Sequence, residues 1–445
     1  MPPRTFLERL GLHRRELRAW ALYDVANSAW MTTVMTVVFP LFFVKVAASG
    51  LSPEVARSRF AFASSLSVIL VGLLGPLLGA IADYRGSKKL FLGAFLALGA
   101  AATAAMYFIA EGQWGFALAT FVVGNVAVTS TLAFYNSLLP SIAAADEVDR
   151  VSTAGFALGY LGGGILLALN MAMLGNPQRF GIPDAGAAAR LSFLSVAVWW
   201  VLFSIPLFRR VPEPAPRLEA AETGGENAVR IAARRLAGTV RELRAHKDAG
   251  LLLLAFLVYN DAVNTIIRMA TTYGDEIGIS AAHLMAALLM IQLVGVPFAF
   301  AFGALADRIG AKRAIFVALA VYSAVSVYGF ALRTTTQFFV LGFLVATVQG
   351  GSQALSRSLF ATLIPRHKAG EMFGFFGVFD RFGGAVGSLV FGVMLATTGS
   401  SRPAILTLIL FFAIGAYLLT RVDVERGRRV AREAEAAAHE ATRSV

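Results

Sequence analysis

Gly79-Ala80-Ile81-Ala82-Asp83-Tyr84-Arg85-Gly86-Ser87-Lys88-Lys89 returns 224 positions later as Gly303-Ala304-Leu305-Ala306-Asp307-Arg308-Ile309-Gly310-Ala311-Lys312-Arg313. Each copy has a glycine, an acid, a second glycine and paired bases at one spacing, and each stands between two long apolar runs. The second glycine suits a chain that must reverse within a few residues between helices. A membrane helix needs about 20 mostly apolar residues to cross about 30 Å of hydrocarbon. Reading outward from the two copies gives twelve such runs, at 19–44, 60–82, 90–110, 114–139, 151–174, 191–208, 249–273, 284–306, 314–332, 337–361, 372–397 and 403–420. The copies follow run two and run eight, so the chain divides into six spans and six spans.

Composition agrees. Hydrophobic residues make up 57% and charged residues 15%, against roughly 45–50% and about 25% in soluble proteins. So much apolar side chain has no place to hide in a water-soluble fold of 445 residues, which excludes a soluble enzyme. The net charge of +12 would suggest a nucleic-acid partner in a soluble protein, but here the loops account for it. Both tails and the even-numbered loops hold 29 of the 39 Lys and Arg, and the odd-numbered loops hold 7. Bases concentrate on the cytoplasmic side, so both termini are expected there and no nucleic acid is expected. The opening MPPRTFLERLGLHRRELRAW is basic, and the run after it is too long for a cleavable signal, so it is expected to stay. No eukaryotic targeting extension is evident, and the Ala- and Arg-rich composition points to a bacterial inner membrane. There is no cysteine, and the five histidines are scattered, so no metal site or cofactor is expected. No Gly-Lys-Ser/Thr phosphate loop supports direct ATP drive.

The expected organisation is an all-α membrane protein with an N-terminal six-helix bundle (1–208), a basic cytoplasmic linker (209–248), a C-terminal six-helix bundle (249–421) and a cytoplasmic tail (422–445). The linker starts Pro-rich and then places Val229, Ala233, Leu236, Val240 and Leu243 on one helix face, a pattern suited to lying on an anionic leaflet. The tail, rich in Ala, Glu and Arg, is expected to be a solvated helix.

Two further repeats link the halves: Asp24-x-x-Asn27-Ser28 with Asp261-x-x-Asn264-Thr265, and Tyr135-Asn136-Ser137-Leu138-Leu139-Pro140 with Phe360-Ala361-Thr362-Leu363-Ile364-Pro365. Paired six-span halves are a mark of transporters that rock one half against the other. The Gly79–Lys89 element and its echo resemble the signature loop of the major facilitator superfamily. Trp20-Ala21-Leu22-Tyr23-Asp24-Val25-Ala26-Asn27-Ser28-Ala29 further resembles the start of its vacuole-effluxer-like branch, which includes autophagy-related amino-acid exporters. That resemblance implies a twelve-helix fold with alternating access, a small-molecule substrate and amino-acid efflux, and a monomer is expected. It also implies a cytoplasmic gate of Gly79, Asp83, Arg85, Gly86 and Lys88 with Gly303, Asp307, Arg308, Gly310 and Lys312, closed when the cavity opens outward.

An ionisable side chain inside a span is unfavourable and marks a pathway by default. Asp24 and Asp261 are the candidates for carrying a coupling proton or another cation. Asp24, Asn27 and Ser28 share one face of span one, and Asp261, Asn264, Thr265 and Arg268 share one face of span seven. Spans one, four, seven and ten line the cavity of the resembled fold, which nominates Tyr23, Asn125, Thr129, Tyr135, Asn136, Tyr259, Asn260, Gln349 and Gln353 beside them. Arg357 offers a bidentate fork for a substrate carboxylate. Asp380 and Arg381 are adjacent, so they point to different faces, and a gate or structural role is expected. Gly155, Gly159, Gly162, Gly163 and Gly164 partly resemble an antiporter motif, but close helix packing is the expected use, as for Gly383, Gly384 and Gly387. The competing functions are a cation-coupled sugar or glycoside symporter, with Trp20 and Trp30 as stacking partners, and a lipid or amphiphile translocase. No catalytic constellation supports a membrane enzyme.

Overall fold

The computed structural model describes residues 5–215, 246–383, 385–398 and 400–443. Among these every regular element is helical, and twelve helices are long and apolar enough to cross a membrane. In chain order the spans are Arg15–Ala47, Pro53–Arg85, Lys88–Phe108, Trp114–Ile142, Val148–Gly175, Ala185–Arg210, Lys247–Ala270, Ala282–Ile309, Ala311–Phe330, Thr335–Leu363, Arg366–Leu395 and Ser401–Thr420. They are referred to below as spans one to twelve.

Several helices outrun their apolar cores because polar residues cap them. Span two begins at Pro53, where the Ser52 side chain accepts the Val55 N–H and proline takes the first turn. Thr334 and Gln337 form a reciprocal capping box at the start of span ten. Gly86 and Gly310, the second glycines of the repeated stretch, both have positive φ, 60° and 87°. The expected tight turns are therefore made in the backbone region that glycine enters without strain. A cationic staple follows each turn. Lys89 Nζ donates to the carbonyls of Phe208 and Val211 at 2.9 and 2.7 Å, and Lys312 Nζ donates to those of Thr420 and Val422 at 3.1 and 2.7 Å. Each thereby holds the C-terminal end of the last span in its own half.

Small residues set the helix spacing. A Cβ on Gly155, Gly159 or Gly162 would overlap Asp24, Ser28 or Val25 of span one, and a Cβ on Gly387 would overlap Thr265 and Asp261 of span seven. Glycine thus lets span five seat against span one, and Gly387 lets span eleven seat against span seven, the packing use expected of these residues; Gly384 lies outside the described residues. Large apolar side chains such as Phe62, Leu73, Leu90 and Leu410 remain on the outside, as a lipid-facing surface requires.

Two spans depart from simple helix. Residues Trp30–Val38 of span one are π-helical, and the Phe39 N–H reaches back five residues to Val34. Span eleven breaks at Gly383, whose backbone is extended, into Ala369–Phe382 and a second helix, Ala385–Thr398. The tail also differs from expectation. Its helix, Val424–Arg443, is docked rather than free: the Arg426 guanidinium grips Asp248 at 2.7 Å through both Nε and Nη2. Glu435 accepts the Arg366 N–H at 2.8 Å, and Ala431 and Ala438 are buried. Alanines seven residues apart fall on one face, and that face packs while the charges turn outward. The amphipathic helix expected at 229–243 lies outside the described residues.

Candidate functional site

The two halves meet most intimately around one arginine. Arg357 of span ten is buried, and all five of its N–H groups find oxygen acceptors on the N-terminal half. Nε donates to Ser152 Oγ at 2.9 Å, and Nη2 donates to the Ser152 carbonyl at 2.8 Å. Nη1 reaches Asn136 Oδ1 at 3.2 Å, and both Nη1 and Nη2 lie 3.3 Å from Asp24 Oδ2. The Tyr135 hydroxyl donates to the same Asp24 oxygen at 2.8 Å, and Asn27 Nδ2 donates to Asp24 Oδ1 at 3.3 Å. Trp20 and Phe156 lie over the guanidinium. Asp24 and Arg357, nominated separately as proton carrier and substrate fork, are partners. In this conformation the fork is taken by protein and is not open to a solute.

Closer to the face that carries both termini, the repeated stretches cross between halves. The Asp83 carboxylate sits at the start of the Ala369–Phe382 helix, accepting the N–H of Gly370 at 3.0 Å and of Glu371 at 2.8 Å, with Lys88 Nζ 2.8 Å away. A helix N-terminus favours an anion there. A Cβ at Gly79 would overlap the Gly370 carbonyl, and one at Gly303 would overlap Thr153, so the first glycine of each copy permits close helix crossing. Asp307 receives Arg150 Nη1 at 2.7 and 2.8 Å on its two oxygens, and Ser358 donates to Asp149.

Three of the nominated gate bases lie elsewhere. Arg85 and Arg308 are exposed, and Lys312 staples its own half. Residues one or two apart on a helix do not share a face, so an Asp83 turned toward the other half turns Arg85 away. Arg150, Asp149, Ser152 and Ser358 were missed. A base in loop four looks topological until Asp307 is seen to face it.

A second polar cluster surrounds the break in span eleven. Asp261 Oδ2 accepts the Gly387 N–H at 2.5 Å, near the start of the second helix, and Arg268 Nη2 reaches the Gly383 carbonyl at 3.3 Å, at the end of the first. Asn260 Nδ2 donates to Asp380 Oδ1 at 2.9 Å, and Asn264 lies beside Gly383. Arg381 crosses to span one and ends on the sulfurs of Met31 and Met35. Asp380 and Arg381 are therefore not in the terminal-face gate. At about 1.5 Å per residue they lie about 16 Å along the helix from Ala369, where Asn260 and Met31 are mid-span.

The remaining candidates divide. Asn125 and Thr129 are buried in span four, while Ser28, Gln349 and Gln353 are half-buried. Tyr23 and Tyr259 differ from cavity walls: Tyr23 packs on Tyr135, and Tyr259 is buried against Gly415 with its hydroxyl on Ser356. Aromatic area of this size is more stable inside its own bundle. Trp20 stacks on Tyr135 and Trp30 bonds Thr103. Both indoles are wholly buried, so neither presents a face to a sugar.

Comparison with known proteins agrees with this geometry. The chain matches the family described as "Vacuole effluxer Atg22 like" over residues 52–432. The "Uncharacterized MFS-type transporter YxiO" of Bacillus subtilis is 37% identical over 421 residues, covering 94% of this chain and 97% of that one. "Autophagy-related protein 22" of Yarrowia lipolytica is 29% identical over 314 residues, covering 63% of this chain and 51% of that one, so about half of the longer relative is matched. Among solved structures, the human organic anion transporter MFSD10 superposes with a TM-score of 0.68 at 17% identity, covering 91% of this chain and 99% of that one. The transporter FucP in its outward conformation superposes with a TM-score of 0.68 at 14% identity, covering 92% and 100%. These structural likenesses establish the fold, and the sequence match establishes the branch. The chain belongs to the vacuole effluxer Atg22-like family of the major facilitator superfamily and is a membrane transporter rather than an enzyme.

Proposed function

We propose that the protein exports amino acids, or a similar small zwitterion, by alternating access between two six-helix bundles (1–208 and 249–421), driven by proton exchange and working as a monomer. The family name supports efflux, and the vacuole-effluxer resemblance of span one supports amino acids. The distribution of Lys and Arg, 29 against 7, supports cytoplasmic termini in a bacterial inner membrane. On that orientation the terminal face is the cytoplasmic one, and its contacts between halves are those of an outward-facing state.

The observation that carries the proposal is the Asp24–Arg357 pair. A buried carboxylate shared by an arginine and a tyrosine of different helices couples its protonation to the junction between the halves. Proton uptake by Asp24 removes the charge that Arg357 faces and loosens the cytoplasmic seam. Proton loss re-forms the pair and closes it. Asp261, which holds the start of the second helix of span eleven, is the alternative carrier, placed so that its titration acts on that break.

Thermal-shift screening of the purified protein against amino acids, sugars and amphiphiles at two pH values tests the substrate class, since a ligand of the folded state raises apparent stability by mass action. Stabilisation by amino acids is expected. Stabilisation by sugars alone contradicts the proposal.

A further inference from the structure

Arg357 and Arg381 both stand at the seam between the halves, and their surroundings are opposite. Arg357 has an oxygen acceptor for every N–H. Arg381, at the end of the first helix of span eleven, has none among the described residues. Its Nη1 lies 3.6 Å from Met35 Sδ and its Nη2 3.5 Å from Met31 Sδ, and its Nε is shielded from solvent with no partner. A thioether sulfur is a weak acceptor. The neighbouring Asp380 gives one oxygen to Asn260 and points to a different helix face. Among the described residues no carboxylate stands within ion-pair distance of this guanidinium.

A guanidinium whose donors meet only sulfur, with the charge of the adjacent Asp380 acting on it from another helix face, is an unfavourable arrangement in a membrane interior, and such groups face water or a ligand. The methionines are suited to yielding: the side chain is unbranched and flexible. They lie one turn apart in the π-helical stretch Trp30–Val38, a geometry that recurs at functional sites. Met31 stands seven residues after Asp24, two turns along the same face of span one, so this position is separate from the Asp24–Arg357 pair yet continuous with it.

We infer that Arg381 is the carboxylate-binding residue of the transport site, with Met31 and Met35 as its displaceable cover, and that the solute carries a carboxylate. The inference deepens the proposed function and rests on it only in requiring a transported solute. A carboxylate arriving between spans one and eleven exchanges two thioether contacts for a bidentate charge-assisted pair. Because Met31 and Met35 belong to one half and Arg381 to the other, that exchange changes a contact across the seam, which is where a transported solute must act.

The test is calorimetric titration of purified full-length protein with L-methionine, N-acetyl-L-methionine and L-methioninamide. The wild type is expected to bind the two acids and not the amide. Arg381→Gln is expected to weaken both acids about 10- to 100-fold, the loss of a hydrogen-bonded charge. Its unliganded melting temperature should change little, since no hydrogen-bonded partner of Arg381 is orphaned and Asp380 keeps its bond from Asn260. Arg381→Lys, which keeps the charge without the fork, should recover part of the affinity. Wild-type binding that is equal in Arg381→Gln overturns the inference and leaves amino-acid transport standing, as does binding of the amide as tightly as the acids. Arg381-dependent binding of the N-acetyl acid alone upholds the inference and removes amino acids as the substrate. A wild type that binds neither acid overturns both.

Discussion

Asp24 and Arg357 stand 333 residues apart in sequence and in opposite halves, yet Asp24 Oδ2 lies 3.3 Å from both terminal nitrogens of Arg357. Both side chains are buried. Removing one partner of a buried pair leaves an uncompensated charge, at a cost of about 3–5 kcal/mol, whereas replacing both is much milder. Asp24→Asn and Arg357→Gln should each lower the melting temperature clearly, and the double variant should lie above the sum of the two losses. Strict additivity would mean that the pair is not coupled.

Gly79 and Gly303 permit the crossings nearest the terminal face. Gly79→Leu drives a side chain into the Gly370 carbonyl and should hold that face apart. The sequence has no cysteine, so a spin-label pair can be placed on spans two and eleven without background. The variant should show a longer distance distribution than the parent, and an unchanged distribution would argue that this crossing does not set the closed state.

Arg150 and Asp307 join the start of span five to the end of span eight. Arg150→Ala and Asp307→Ala should each shift the same distance distribution toward the open form, and the exchange Arg150→Asp with Asp307→Arg should restore it. Restoration is the discriminating result, because loss of packing alone is not repaired by swapping the charges.

The docked tail makes a separate prediction. The hydrogen bond to Asp248, and then the charge of that carboxylate, raise the proton affinity of the Arg426 guanidinium above its ordinary value, so this base stays charged throughout the working pH range and the contact should not titrate from the arginine side. Arg426→Ala should lower the melting temperature and expose the tail to protease at every pH where Asp248 is ionised. Protection equal to that of the parent would mean that the helix is held by its alanine face alone.

Much of the architecture was legible because apolar run length answers to bilayer thickness. Twelve runs became twelve spans, and the repeated glycine–acid–glycine stretch marked both the turns and the crossings between halves. Asp24, Asp261 and the arginines inside the spans could be nominated because charge in hydrocarbon is rare. Their partners could not be read, because partnership is a tertiary fact. Nothing in the sequence says that Arg357 of span ten meets Asp24 of span one while Arg381 meets methionines. Adjacency shows only that Asp380 and Arg381 point to different faces, which suits a gate, and the break in span eleven leaves no trace beyond glycines that serve equally for packing. The tail looked solvated because its charges outnumber its alanines in effect, and only docking reveals the buried face.

Proton coupling is read directly from flux in proteoliposomes. Labelled amino acid and lumenal pH should be followed together in vesicles holding the wild type, Asp24→Asn or Asp261→Asn. Wild-type amino-acid movement is expected to be accompanied by opposing proton movement, and one of the two variants is expected to uncouple them, exchanging labelled solute across the bilayer without responding to a pH gradient. Undiminished proton-driven transport in both variants would contradict that expectation.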